Sequence, residues 1–297
     1  MTNMGKKVLA GAALLWCLIG FSACEDPVPE DNYKPEYLVE AMLYVGDPIE
    51  GLRLSLTQPV LDTFRYEQSL VRDADVVVLE GDTPLQLEWR DAANGLGDYY
   101  LPDADYRVKP NTLYHLEVRT TDGKLITGST RTPQAMEWVK RTDNVLQYPL
   151  DTINLESPDS LDIKWTSVED APAYLISVRC EDTVAYGFYL DPPVEEPNRR
   201  IYRFWEEDAP NYNEVVRWGF AGINSSPVVW FAFKWYGLQA LTIYAPNQEY
   251  YEWFRLTHRG QSEYDFRLAS VEGDGTGVFA AASVIRDTIF VLKNTSP

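Results

Sequence analysis

The sequence predicts an all-β protein of two β-sandwich domains, and three observations lead to this prediction. From about residue 37, short runs rich in β-branched and aromatic residues follow one another, separated by Gly, Asp, Asn or Pro. Several of these runs alternate apolar and polar residues, as strands with one buried face do. Only "NQEYYEWFRLTHRG", at 247–260, has apolar residues at helical spacing. We therefore expect immunoglobulin- or fibronectin III-like sandwiches with one short helix.

The N-terminus has the layout of an exported protein. Lys6 and Lys7 precede an apolar stretch that ends in the small residues Ser22 and Ala23, so residues 1–23 are predicted to be a signal peptide cleaved between Ala23 and Cys24. The letters "FSAC" resemble the lipobox of bacterial lipoproteins, in which the cysteine thiol carries diacylglycerol. The resemblance implies that Cys24 is the lipid-bearing first residue. An ordinary cleaved signal with an incidental cysteine is the alternative.

Residues 24–36 are predicted to be an acylated, flexible tether, because "EDPVPEDNYKPE" is rich in proline and acids. Glu25 and Asp26 resemble the signal that sends lipoproteins of Bacteroidota-type bacteria to the outer face of the outer membrane. We therefore expect a protein anchored in the outer membrane by lipid and exposed at the cell surface. A position on the periplasmic face, with the acids serving only to solvate the tether, is the alternative.

Composition narrows the classes of partner. The chain has 297 residues and a formal net charge of −19, which argues against binding nucleic acid or lying flat on an anionic membrane. Beyond the signal, no run approaches the roughly 20 apolar residues of a helical membrane span. With Cys17 lost in the signal and Cys24 acylated, Cys180 is left alone and no intramolecular disulfide is expected.

The first domain is predicted to cover residues 37–135, with about seven strands and no convincing helix. In "LYHLEVR", Tyr114, Leu116 and Val118 share one face and are predicted to be buried. Asp122-Gly123 lies between two such runs and predicts a hairpin with a type I′ turn. A connecting stretch at 136–157 follows this domain.

The second domain is predicted to cover residues 158–297. Its opening, "LDIKWTSVEDAPAYLISVRCED", resembles the B and C strands of a fibronectin type III domain, with Trp165 at the place of the buried tryptophan. Cys180 alternates in phase with Ile176 and Val178, which predicts a core position and an inert thiol. Residues of about 185–260 exceed what that fold needs, so we expect an aromatic-rich insertion there.

The aromatic segment supplies the candidate binding surface. Residues 202–254 contain 16 of the chain's aromatic side chains, more than one sandwich core should require. The predicted contact residues are Trp218, Trp230, Trp235 and Tyr236. In "VVWFAFKWYG" both strand faces are apolar, so the alternative that these rings belong to the core remains open.

The sequence contains no recognisable catalytic or metal-binding constellation. There is no Gly-x-Ser-x-Gly elbow, Cys-x-x-Cys or His-Glu-x-x-His, and the two histidines, His115 and His258, are interpreted as solvated rather than ligating. Carboxylates at Asp103 and Asp105 and at Glu272 and Asp274 are interpreted as turn residues rather than calcium ligands. We predict no catalytic residues, no metal and no cofactor.

The order of motifs resembles a family of uncharacterised lipoproteins described as domain of unknown function 4249. The likeness rests on the lipobox and on "YLVEAMLYVGDP", "VRDADVVVLEGD", "GDYYLPD", "YHLEVRTTDGKLITGSTRTP", "YYEWFRLTHRG" and "VEGDGTGVFAAASV". This resemblance implies an accessory lipoprotein that partners a TonB-dependent transporter in nutrient uptake. Two alternatives remain, a stand-alone surface glycan-binding protein and a hydrolase.

Overall fold

The computed structural model describes residues 33–59, 63, 65–92, 96–149, 157–181, 186–195, 201, 215–259 and 270–293, without the side chains of 159, 215–221, 258 and 259. The signal peptide, Cys24 and most of the tether lie outside these residues. The chain divides into a small unit, Met1–Pro35 with Thr57–Phe64, and a large unit, Glu36–Leu56 with Arg65–Pro297. Within the small unit, the Tyr33 hydroxyl donates a hydrogen bond to Thr57 Oγ1 at 2.6 Å.

The large unit is built mainly of β-strands. These are β1 (Tyr37–Val45), β2 (Arg53–Leu56), β3 (Asp75–Glu80), β4 (Thr83–Asp91), β5 (Gly97–Tyr100), β6 (Leu113–Arg119), β7 (Leu125–Arg131), β8 (Trp138–Lys140), β9 (Val145–Gln147), β10 (Ile163–Trp165), β11 (Tyr174–Cys180), β12 (Val215–Ala221), β13 (Ser225–Ser226), β14 (Gly237–Pro246), β15 (Val271–Gly273) and β16 (Gly275–Leu292). Two α-helices, α1 (Tyr66–Ser69) and α2 (Gln248–Arg259), accompany them, together with short 3-10 helices at Asp159–Leu161, Tyr186–Tyr189 and Trp230–Ala232.

Three sheets enclose two sandwich cores, which confirms the predicted fold class. The largest sheet has the order β12-β11-β14-β16-β1-β2, with β9 also paired to β16. A six-stranded sheet, β15-β7-β6-β3-β4-β5, packs against its β1 and β2 side to form the first core. A three-stranded sheet, β13-β10-β8, packs against β11 and β14 to form the second core. As the fibronectin resemblance implies, β10 and β11 lie in opposite sheets, and Trp165 is fully buried between them.

One long strand, β16, takes part in both cores. Because successive strand residues face opposite sides, its odd-numbered residues lie on a single face. Phe279 and Ala281 on that face enter the first core, whereas Ile285 and Ile289 enter the second. The two sandwiches therefore share a continuous strand.

The shared strand changes the predicted domain organisation. The sequence analysis placed residues 158–297 entirely in the second domain, but β16 pairs in parallel with β1 from Tyr37↔Gly275 to Val45↔Ser283. The predicted connecting stretch, 136–157, contains β8 and β9, which pair with β10 and β16. The expected insertion at about 185–260 contains β14, which lies between β11 and β16 in the large sheet. Both segments are integral to the sheets, because their strands are hydrogen-bonded to neighbouring strands.

The predicted helix is present as α2 and covers the outer face of the large sheet. Asn247 caps it: Oδ1 accepts the Tyr250 N–H at 3.1 Å, and the same oxygen accepts the Ala281 N–H of β16 at 3.2 Å. Tyr250 and Phe254, four residues apart, are buried against the even-numbered residues of β16. Asn247 Nδ2 also donates to Thr130 Oγ1 at 2.8 Å, so this one side chain ties the helix to β7 and β16.

The hairpin at 120–124 exists, but its predicted turn type is wrong. Gly123 has φ of +85°, whereas Asp122 is not among the non-glycine residues with positive φ. A type I′ turn needs positive φ at both central residues. The Thr120 N–H donates to the Lys124 carbonyl and the Gly123 N–H to the Thr120 carbonyl, both at 3.0 Å. This is a three-residue loop with glycine in the left-handed position.

Candidate functional site

Of the four predicted contact residues, Trp230 lies in the core. Trp230 is only 3% exposed, and its ring lies edge-on to Tyr148, 5.6 Å between centroids, and tilted against Phe233 at 5.9 Å. Trp235 is partly buried, and Tyr236 packs against the second core. The Trp218 side chain lies outside the described residues.

The local backbone explains why the alternating pattern of this segment did not predict which side chains are buried. Trp230–Ala232 forms a 3-10 helix instead of a strand, so neighbouring side chains no longer alternate between two faces. Trp230 and Phe233, three residues apart, turn to the same side and enter the core. Phe231 points away and is 47% exposed. The alternative of an aromatic core therefore holds for Trp230.

A different set of apolar side chains is exposed at the end of the second sandwich. We define the aromatic patch as Val145, Phe188, Tyr189, Val194 and Phe290. Phe188 is 71% exposed, Val145 52%, Tyr189 47% and Val194 44%, while Phe290 is half-buried. Large apolar side chains that cluster in the open mark sites where a protein meets a partner.

Backbone and ring contacts hold the patch together. Val145 on β9 and Phe290 on β16 are register partners, so their side chains emerge from the same face of the sheet. Tyr189 lies over Phe290 with 5.9 Å between ring centroids. The Val194 N–H donates to the Gly187 carbonyl at 3.0 Å, which places Val194 beside the 3-10 helix that carries Phe188 and Tyr189.

A buried tyrosine supports this arrangement from below. Tyr186, 4% exposed, stacks on Phe290 at 5.6 Å and 18°. Its hydroxyl accepts the backbone N–H of Lys293 at 2.9 Å, which fixes the ring at the end of β16. Tyr186 therefore fixes the position of the Phe290 ring, against which Tyr189 packs.

Three exposed carboxylates lie close to patch members along the chain. Asp143, Asp191 and Glu195 lie within two residues of patch members along the chain and are exposed, and within the described ranges none of them has an ion-pair partner. The arginine on the same face of β16, Arg286, is paired with both carboxylate oxygens of Asp47, at 2.9 and 2.6 Å. These hydrogen bonds raise the pKa of Arg286, and its charge is neutralised locally. At the rim of the patch, the described charged residues within two positions of a patch member are therefore all acidic, and Lys293 follows three residues after Phe290.

A second feature is a polar cavity of about 560 Å³ between the six-stranded sheet and the start of α2. Its lining includes Leu79, His115, Leu116, Glu117, Thr127, Gly128, Ser129, Glu249, Glu252, Ser270 and Glu272. The sequence analysis did not foresee that these glutamates share a cavity, since they come from β6, α2 and β15. Several already have partners: Arg119 donates to Glu117, and Gln248 donates to Glu252 at 2.5 Å.

The residues weighed as ligands have structural contacts. Nδ1 of His115 lies 2.7 Å from Ser129 Oγ, while the His258 side chain lies outside the described residues. Asp103 Oδ1 accepts the Asp105 N–H at 3.0 Å, as a turn carboxylate does. Asp274 instead accepts the Leu125 N–H of β7 at 3.0 Å and so contacts a distant strand. Across the described ranges, no three His, Cys, Asp or Glu side chains are placed to hold a metal ion.

Cys180 packs in the interior as its alternation predicts. It is 5% exposed at the end of β11 and forms no disulfide in the described part of the chain. The burial keeps it from acting as an accessible nucleophile.

None of the helices that can be described is long and apolar enough to cross a membrane.

The fold defines an all-β protein in which two immunoglobulin-like sandwiches share a strand, with an exposed aromatic patch at one end. The chain belongs to the family described as "Domain of unknown function (DUF4249)", which matches residues 25–284. No curated protein matches it. It is similar to the "Crystal structure of DIP-gamma IG1+IG2" at 11% identity and a TM-score of 0.20, over 88% of this chain and 99% of that chain. A TM-score this low does not indicate a shared fold, so the fold is assigned from the sheets described above.

Phe188 and Tyr189 are exposed aromatic residues that sequence reasoning missed. They stand in "YGFYLDPPVE", where three aromatic residues precede two prolines. Proline cannot continue the hydrogen bonding of a central strand, so this stretch was unsuited to a sheet interior. Aromatic residues next to such a break were the available signal for exposed rings.

Proposed function

We propose that this chain is a lipid-anchored, non-catalytic binding protein of the outer membrane that acts as accessory to a TonB-dependent transporter in nutrient uptake. The observation that carries the proposal is the aromatic patch, whose members include a phenylalanine that is 71% exposed. Such exposure costs solubility unless a partner covers the rings. The transporter itself enters through the resemblance of the motifs to accessory lipoproteins.

The N-terminal sequence supports the anchor and the location. A small-small-cysteine end to an apolar stretch is the pattern that lipid attachment requires, and Cys24 is its cysteine. Acyl chains contribute about 0.8 kcal/mol per buried methylene, so two or more chains hold a protein at a bilayer firmly. Glu25 and Asp26 favour the cell surface. Palmitate labelling that persists in a Cys24→Ala variant would contradict the anchor, and resistance to protease on intact cells would contradict surface exposure.

A pull-down from detergent-solubilised outer membrane tests the partner. The acylated protein is expected to recover a TonB-dependent β-barrel, identified by mass spectrometry, in near-equal amount. The Cys24→Ala variant, which stays soluble, is the control for membrane association. Recovery of the acylated protein alone would contradict the accessory role.

Glycan binding is the second candidate, because exposed aromatic faces also stack on sugar rings. Titration of the purified protein with surface polysaccharides distinguishes the two candidates. Binding without any transporter, weakened by Phe188→Ala, would favour the glycan-binding protein.

The polar cavity gives the hydrolase alternative a definite place. A glycoside hydrolase uses two carboxyl groups on either side of the scissile bond, and Glu249 and Glu252 are the cavity carboxylates that α2 contributes. We propose no catalysis there, and expect Glu249→Gln and Glu252→Gln to leave partner recovery unchanged. Polysaccharide hydrolysis by the purified protein that both substitutions abolish would establish the enzyme instead.

A further inference from the structure

The open edge of β9 lies directly beside the aromatic patch. This strand pairs in parallel with β16 and with no other described strand. The Phe290 N–H donates to the Asn144 carbonyl at 2.7 Å, and the Tyr148 N–H donates to the Leu292 carbonyl at 3.2 Å. In a parallel pair of strands, alternate residues direct both their N–H and their C=O to the neighbouring strand. These two bonds indicate that Leu146 directs its backbone N–H and C=O to β16, so the backbone groups of Val145 and Gln147 point to the opposite side.

The outward groups have no partner within the described ranges. Among the residues that the structure describes, neither Val145 nor Gln147 takes part in a backbone hydrogen bond outside the β9–β16 ladder. Their side chains are exposed, while Leu146 between them is 2% exposed and enters the second core. Among the described residues, β9 is therefore held to β16 on one side and has unpaired backbone groups on the other.

An exposed edge with a neighbouring apolar surface fits an extended polypeptide. A peptide that adds a strand takes its affinity from main-chain hydrogen bonds and its specificity from alternate side chains. Next to β9, every second side chain of such a peptide would emerge beside Val145, on the sheet face where Phe290 carries the Tyr189 ring.

The charge of the rim determines which polypeptide fits. Asp143, Asp191 and Glu195 are exposed carboxylates near the patch along the chain. Lys293, which directly follows β16, is a cation in the same region. Lysine or arginine beside the apolar residues of the incoming segment would be attracted to these carboxylates. A second copy of this chain would bring the same carboxylates against them, so the charges disfavour a homodimer through this edge.

We propose that β9 binds an extended segment of the partner protein, in which apolar residues alternate with other residues and basic residues flank them. The segment adds a strand to the large sheet at β9 and places its apolar side chains on the aromatic patch. This inference rests on the proposed function, whose transporter is the protein expected to supply the segment.

Photo-crosslinking followed by peptide titration tests this inference. p-Benzoylphenylalanine replaces Phe188 in the full-length protein in its native cells, and Val139, 64% exposed on β8, is the control position. The crosslinked partner peptide is sequenced by mass spectrometry, synthesised and titrated against the purified protein. We expect a crosslink from position 188 but not 139, and a sequence with alternating apolar residues and at least two Lys or Arg.

The synthetic peptide then tests the geometry. N-methylation of the amides that face β9 should weaken binding about tenfold for each hydrogen bond lost. Phe188→Ala should weaken binding, Val139→Ala should not, and added salt should reduce the affinity. A crosslink to glycan or lipid, no crosslink, an acidic peptide, or indifference to N-methylation would overturn the inference. If a β-barrel is still recovered in the pull-down when these results fail, the accessory role stands and its contact lies elsewhere.

Discussion

Truncation of Trp230 should destabilise the protein, whereas truncation of its neighbour Phe231 should not. Trp230 is 3% exposed and contacts Tyr148 and Phe233, so Trp230→Ala removes a large ring and leaves a cavity. Such changes cost about 3–5 kcal/mol. Phe231 is 47% exposed, and half of the transfer free energy of a phenylalanine is about 0.8–1.5 kcal/mol.

Thermal unfolding followed by far-ultraviolet circular dichroism measures the difference without depending on tryptophan fluorescence. For a chain of this size each 1 kcal/mol lowers Tm by roughly 2–4 °C, so Trp230→Ala is expected to lower it by roughly 6–20 °C. Phe231→Ala should lower it by a few degrees or less. Equal shifts in the two variants, or a smaller one for Trp230→Ala, would refute the assignment of Trp230 to the core.

Three further predictions concern the shared strand, an acidic side chain and the helix cap. Gly277→Ala should unfold or severely destabilise the protein in urea titrations, since Gly277 has φ of +124° and its added Cβ would lie 2.0 Å from a β1 carbonyl oxygen. The control is Gly81→Ala: Gly81 has φ of +57° but lies in open space, so its substitution should cost only about 1–2 kcal/mol. A hydrogen bond from Lys109 lowers the pKa of Glu80 in the folded protein. The Glu80 carboxylate therefore stabilises the folded state fully above the unfolded-state pKa of about 4.3. This stabilisation is lost as the pH falls through the pKa of Glu80 in the folded protein. Glu80→Gln should therefore be less stable than the wild type at pH 7, and the difference should shrink as the pH falls below about 4.3. Asn247→Ala should cost about 2 kcal/mol or more in urea unfolding, because it removes the cap of α2 and two sheet contacts.

Each of these predictions has a result that would contradict it. Equal losses from the two glycine variants would show that β1 and β16 do not approach as closely as described. Glu88, exposed and without an ion pair in the described ranges, provides the control for Glu80: a Glu88→Gln variant with the same pH dependence would refute the role of Lys109. An Asn247→Ala variant as stable as the wild type would show that the helix is held by packing alone.

The sequence was sufficient wherever one face of an element is apolar and the other polar. Tyr114, Leu116 and Val118 are buried as their alternation predicts, and so is Cys180. Such a pattern allows one orientation, because reversing the strand would expose its apolar side chains. The same reasoning placed α2, whose apolar stripe faces the sheet.

Prediction failed where every residue in a run is apolar or where partners are distant in the chain. In the segment around Trp230 both faces are apolar, so alternation could not separate a strand from a 3-10 helix. Nothing local to β16 shows that its first half pairs with β1, which lies more than 200 residues earlier. The aromatic patch is likewise assembled from β9, the 3-10 helix at Tyr186–Tyr189 and β16, and periodicity within one segment cannot reveal such a meeting.

The most direct test of the central claim is a pull-down that compares patch variants of the acylated protein. Wild type, Phe188→Ala with Tyr189→Ala, and Phe231→Ala as an exposed aromatic control are isolated from outer membrane at equal amounts. Cooperative thermal unfolding of each protein first confirms that it is folded. We predict that the wild type and the Phe231→Ala protein recover the TonB-dependent β-barrel and that the double variant loses it. Equal recovery by all three would contradict the claim that the aromatic patch is where this protein meets its partner.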